Sequence, residues 1–166
     1  MIREGEILDI KLRKNEDRLK MSGWGAILVA VWPIIDIIMN VFLMPKNLDA
    51  MVASYDLGPE LKTAYILVML AFLIVQLIFF VLAGRAALGA GKRTKKTAPC
   101  LVLSIILLVL VAISFYLNLM EMGADIIRTT DVIYLILDGI SILIILQMLI
   151  CVCKVRSLRK KLNMEY

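Results

Sequence analysis

The sequence predicts an all-α membrane protein, a bundle of four transmembrane helices with both termini on the cytoplasmic side. Three observations carry that reading: more apolar surface than a small domain can hide, four apolar runs of spanning length, and basic residues on alternate connections only. The chain has 166 residues, 61% of them hydrophobic, with a mean hydropathy of +0.90. Soluble domains are roughly 45–50% apolar, so this chain needs a solvent other than water. A bilayer core of ~30 Å is crossed by about 20 apolar residues in a helix. Residues 24–44, 64–83, 99–119 and 132–153 supply four such runs. The expected organisation is a cytoplasmic segment 1–23, a four-span domain 24–153 and a basic tail 154–166.

Orientation follows from the 19 Lys and Arg. Residues 1–23 hold six, residues 84–98 hold five, and the tail after the fourth span holds five more. The other two connections hold only Lys46, Lys62 and Arg128. The split of 16 against 3 alternates with each span, as the positive-inside rule requires. Both termini and the middle connection are therefore expected in the cytoplasm of a multi-pass protein of the plasma membrane. The net charge of +5 reflects this topology and anionic lipid heads, not a nucleic-acid partner.

The first run is expected to remain in the mature protein. It is too long for the apolar region of a signal peptide, follows more than twenty largely polar residues, and has no small-x-small cleavage site after it.

Within residues 1–21, Leu8, Leu12 and Leu19 fall on one helical stripe. That pattern fits an amphipathic helix lying on the inner leaflet. Five acidic residues among its six basic ones weaken the pull of anionic lipid and leave docking on a cytoplasmic partner as the alternative. Ser22-Gly23 is expected to break this segment from the first span, whose inner edge is marked by Trp24. Pro33 removes a backbone hydrogen bond and should kink that span.

Pro45 ends the first span, Asn47 is placed to cap a short outer helix through Tyr55, and Gly58-Pro59-Glu60 opens the second helix with proline in its favoured early position. After that span, Ala83, Ala87 and Gly91 give small-x-x-x-small spacings that permit close helix approach. Gly89-Ala90-Gly91-Lys92 is not a phosphate-binding loop, because Arg93 replaces the Ser/Thr and Ala86 the leading glycine. Pro99 starts the third span, and the tail 154–161 is expected to continue the fourth helix into water.

The chain has no His, which removes imidazole acid–base chemistry, Ser/His or Cys/His nucleophile pairs and the usual zinc sites. No catalytic residue, metal site or cofactor is expected, and the protein is not expected to be an enzyme. Cys100, Cys151 and Cys153 lie at the reducing side, where structural disulfides are rare. They are expected as small apolar residues, with lipidation of a juxtamembrane Cys as an alternative.

Ionisable residues inside a span mark functional sites by default, and two are present, Asp36 and Asp138. At 1.5 Å per residue they lie ~12 and ~9 Å from the outer ends of their spans. Asn40 is four residues from Asp36; Tyr134 and Ser141 flank Asp138; Ser114 and Asn118 are four apart on the third span. The expected cluster is Asp36, Asn40, Ser114, Asn118, Tyr134, Asp138 and Ser141. With no Lys or Arg inside any span, two adjacent carboxylates should share a proton. The cluster then binds a proton or cation, hydrogen-bonds neighbouring helices, or meets a partner's helix. Gln76, Ser104 and Gln147 lie in the inner half, where Gln147 is expected either to face another subunit or to pair with Gln76.

Besides the lipid bilayer, the expected partner is another membrane protein or a second copy of the chain. The functional classes are an accessory or regulatory subunit, and a homo-oligomeric channel or proton/cation-coupled transporter using Asp36 and Asp138.

Overall fold

A computed structural model of the protein describes residues 4–38, 59–92, 96–122 and 129–162. Every secondary-structure element among them is a helix: α1 (Glu4–Val29), α2 (Val31–Ile37), α3 (Pro59–Ala90), α4 (Ala98–Met122) and α5 (Thr129–Lys161). Four segments are long and apolar enough to cross a membrane: Gly5–Ile35, Leu70–Ala90, Ala98–Leu117 and Leu135–Lys161. The exposed apolar side chains are compatible with a lipid surrounding. Leu28, Val68 and Leu143 are each about two-thirds exposed, and Ile105, Val109, Ile136 and Ile150 are each about half exposed. Water-soluble monomers rarely show contiguous apolar patches beyond a few hundred Å².

α1 packs against α3 and α5, α4 packs against the same two helices, and α2 rests on α3. Between them lies one core in which Leu12, Leu19, Phe80, Leu107, Val111, Ile145, Met148 and Val155 are fully buried. Ala83 and Ala87 are buried too, and they keep α3 thin where α1 crosses it.

Local chemistry sets the helix ends. Pro59 opens α3, where its missing N–H is not needed. Pro33 has no N–H to offer the Val29 carbonyl four residues back, and the helix is interrupted at Ala30, between α1 and α2. The Ala30 N–H still donates to the Ala26 carbonyl, at 3.1 Å.

Two sequence expectations are corrected. α1 runs unbroken through Ser22 and Gly23. Ser22 bonds within the helix, its hydroxyl donating to the Arg18 carbonyl at 3.0 Å, and Gly23 serves packing rather than a turn. A Cβ on Gly23 would stand 2.9 Å from the Gly84 carbonyl oxygen, and one on Gly84 would stand 2.7 Å from the Gly23 oxygen. The two backbones therefore touch, and Leu12 and Leu19 are buried in the protein's own core rather than presented to a leaflet. Secondly, the connection placed at 84–98 is shorter, because α3 stays helical to Ala90 and carries Arg85 on its exposed side. Pro45 and the short helix expected from Asn47 to Tyr55 lie outside the described residues.

Candidate functional site

The polar residues of the spans separate into two places. One is the predicted site around Asp138. α5 is continuous through Tyr134, Asp138 and Ser141, and α4 through Ser114 and Asn118. The two helices pack together, and the Ser114 hydroxyl donates to Oδ2 of Asp138 at 3.3 Å. Asp138 is half-buried there. Ser141 is buried beside it, but its hydroxyl donates to the Leu137 carbonyl of its own helix at 2.7 Å. Asp36 belongs to α2; its side chain and those of Asn118 and Tyr134 lie outside the described residues, as does the whole of Asn40. The structure thus brings Ser114 to Asp138, a carboxylate held by a hydroxyl from the neighbouring helix. Such a pair is able to hold a proton or present an oxygen ligand to a cation.

The polar residues toward the basic end of the spans part company. Ser104 is buried and donates to the Cys100 carbonyl at 2.7 Å. Gln76 is buried in α3, while Gln147 is exposed on α5. Cys100 and Cys151 are buried, Cys153 is exposed, and all three thiols are free.

The second place was not anticipated from the sequence. Arg159 of α5 turns inward at the basic end of the protein, and its Nη2 donates to Oε1 of Glu16 on α1 at 2.9 Å. The same nitrogen lies 2.8 Å from the Ala90 carbonyl and 3.0 Å from the Lys92 carbonyl. With two N–H groups and three acceptors, one N–H is shared. Both side chains are more than nine-tenths buried. The Ala90 carbonyl ends α3, where helix carbonyls have no internal partner and the dipole favours a cation. Arg159 therefore joins α1, α3 and α5 through one guanidinium. A signal for it exists in the sequence: Glu16 sits on the stripe of Leu12 and Leu19, and Arg159 lies four residues after Val155 and seven after Val152. A charge in each of two apolar stripes implies that the charges meet.

No protein-family model, curated protein or solved structure matches this chain.

Proposed function

We propose that this protein is a small polytopic membrane protein with both termini in the cytoplasm, acting as an accessory or regulatory subunit that packs laterally against other membrane proteins, without catalysis. The observation that carries this reading is the filled axis of the helix assembly. Phe80, Leu107, Val111, Ile145 and Met148 are buried among the described helices, which supports a packed core rather than a conduit within one chain. Apolar faces on all four spanning segments offer area for lateral contact. Gentle detergent extraction tests the reading: a stoichiometric membrane-protein partner should co-purify. A stable homo-oligomer with no partner would overturn it.

A second reading is favoured by the Ser114–Asp138 contact. In a homo-oligomer, the Asp138 carboxyl and Asp36 would handle a proton or cation, and a conduit would form between subunits. Its test is flux in liposomes. Asp36→Asn or Asp138→Asn should abolish pH-dependent flux, and undiminished flux in both variants would sink it.

A further inference from the structure

We propose that the seam between α1 and α5 at the basic end of the protein binds an anionic phospholipid, its phosphate seated among Lys11, Arg18 and Lys154. The proposal rests on the reading of the chain as a membrane protein with this end at the inner leaflet.

The charges of α1 are sorted by face. Asp9 pairs with Arg13 at 3.0 Å and Asp17 with Lys20 at 3.0 Å along α1 itself, and Glu16, buried between α1 and α5, is held by Arg159. Lys11, Asn15 and Arg18 follow the i, i+4, i+7 spacing that places residues on one helix face. Among the described residues, neither Lys11, Arg18 nor Lys154 has an ion-pair partner. A cavity of about 330 Å³ opens between the two helices, lined by Lys11, Asn15, Lys154, Ser157 and Leu158, with no carboxylate among them. Arg18 lies three residues past Asn15, on the same face of α1 as Lys11 and next to the cavity's lining. Asn15 is fixed by its own amide, which donates to the Lys11 carbonyl at 2.7 Å.

The apolar surroundings select a lipid over a soluble anion. Trp24, more than half exposed, marks the interface about 9 Å along α1 from Arg18, so Arg18 stands nearest the headgroups and the long Lys11 side chain, rooted about 20 Å from Trp24, reaches toward them from the water side. Beyond them, Met21 and Leu28 on α1 and Ile150 on α5 are exposed and offer apolar surface to acyl chains. Gln147, exposed about 10 Å deeper than Lys154, offers an amide at the depth of the glycerol esters. One amphiphile satisfies all of these groups together.

Native mass spectrometry of the full chain in mild detergent, titrated with phosphatidylglycerol or phosphatidylcholine, tests this. The wild type should retain phosphatidylglycerol preferentially, and millimolar inorganic phosphate should not displace it. The triple variant Lys11→Gln/Arg18→Gln/Lys154→Gln should lose that retention at least tenfold, since each interfacial cation is worth about fivefold in binding. A control that removes the same charge elsewhere, Arg13→Gln/Lys20→Gln/Arg156→Gln, should retain it. Equal loss in both variants would show a diffuse surface attraction and overturn the site, as would displacement by phosphate or occupation of the seam by a second copy. Helical circular dichroism confirms that both variants fold. Alkaline extraction from vesicles separates the two readings: a chain that resists extraction but shows no headgroup preference loses only the lipid site, whereas a chain that washes off loses the membrane reading itself.

Discussion

Glu16 and Arg159 meet at 2.9 Å inside the protein, although 143 residues separate them in the chain. Their contact fixes the charged N-terminal half of α1 against the end of α5, and the two carbonyls held by Arg159 fix the end of α3 to both. The basic end of the protein is thereby an ordered continuation of the helices rather than three independent tails.

The partners in this arrangement are unequal, and substitutions should show it. Arg159→Met leaves the Glu16 charge buried and the Ala90 and Lys92 carbonyls without their donor, a loss of about 3–5 kcal/mol. Glu16→Gln leaves an acceptor for Arg159, which keeps both carbonyls, and should cost about 1–3 kcal/mol. The double variant Glu16→Met/Arg159→Met should be more stable than Arg159→Met alone, because no charge is stranded. Unfolding midpoints in detergent, combined as a double-mutant cycle, check the order.

The Gly23–Gly84 crossing makes a second prediction with an internal control. Gly84→Ala places a methyl 2.7 Å from the Gly23 oxygen and 2.6 Å from Cγ1 of Ile27. Backbone cannot yield as a side chain can, so α1 and α3 must separate, at about 1–3 kcal/mol. Gly139 also lies within a helix, but among the described residues nothing stands within 4 Å of its added Cβ. Gly139→Ala should stabilise by about 0.5–1 kcal/mol through helix propensity alone. Thermal unfolding of the two variants should shift in opposite directions.

At the predicted polar site the expected energies are small. Ser114→Ala removes a single hydroxyl contact to Asp138, and such contacts between membrane helices average about 0.6 kcal/mol. The variant should therefore be nearly as stable as the wild type by thermal unfolding. A loss of several kcal/mol would mean that the Ser114 hydroxyl supports more than the one contact seen at 3.3 Å.

The spans were legible because length and apolarity determine them, and the helix starts because proline has few favoured positions. In the sequence, Ser114 and Asp138 belong together only as members of one polar cluster; the matched depth behind that cluster is that of Asp36 and Asp138, and the Asp36 side chain lies outside the described residues. The unbroken course of α1 was not legible. Glycine reads as a breaker by local propensity, and only the partner backbone reveals Gly23 as a packing surface. Glu16 and Arg159 escaped notice because a charge in a basic segment reads as solvated. Their apolar neighbours Leu12, Leu19 and Val155 carried the contrary signal, but it takes both helices together to give it meaning.

The three cysteines test the proposed sidedness without any added probe site. Cys153 is exposed next to Lys154, whereas Cys100 and Cys151 are buried. A thiol packed in the core is shielded from a bulky maleimide, so labelling of the folded protein should stop at one group per chain. In sealed vesicles with the cytoplasmic face inward, a membrane-impermeant maleimide should leave the protein unlabelled, and permeabilisation should admit one label. Inverted vesicles should take up that label without permeabilisation. Cys153→Ser should abolish it in every preparation, which assigns the signal to this residue. Labelling of intact, cytoplasm-inward vesicles would place the end of α5 outside and reverse the orientation drawn from the 16-to-3 division of basic residues.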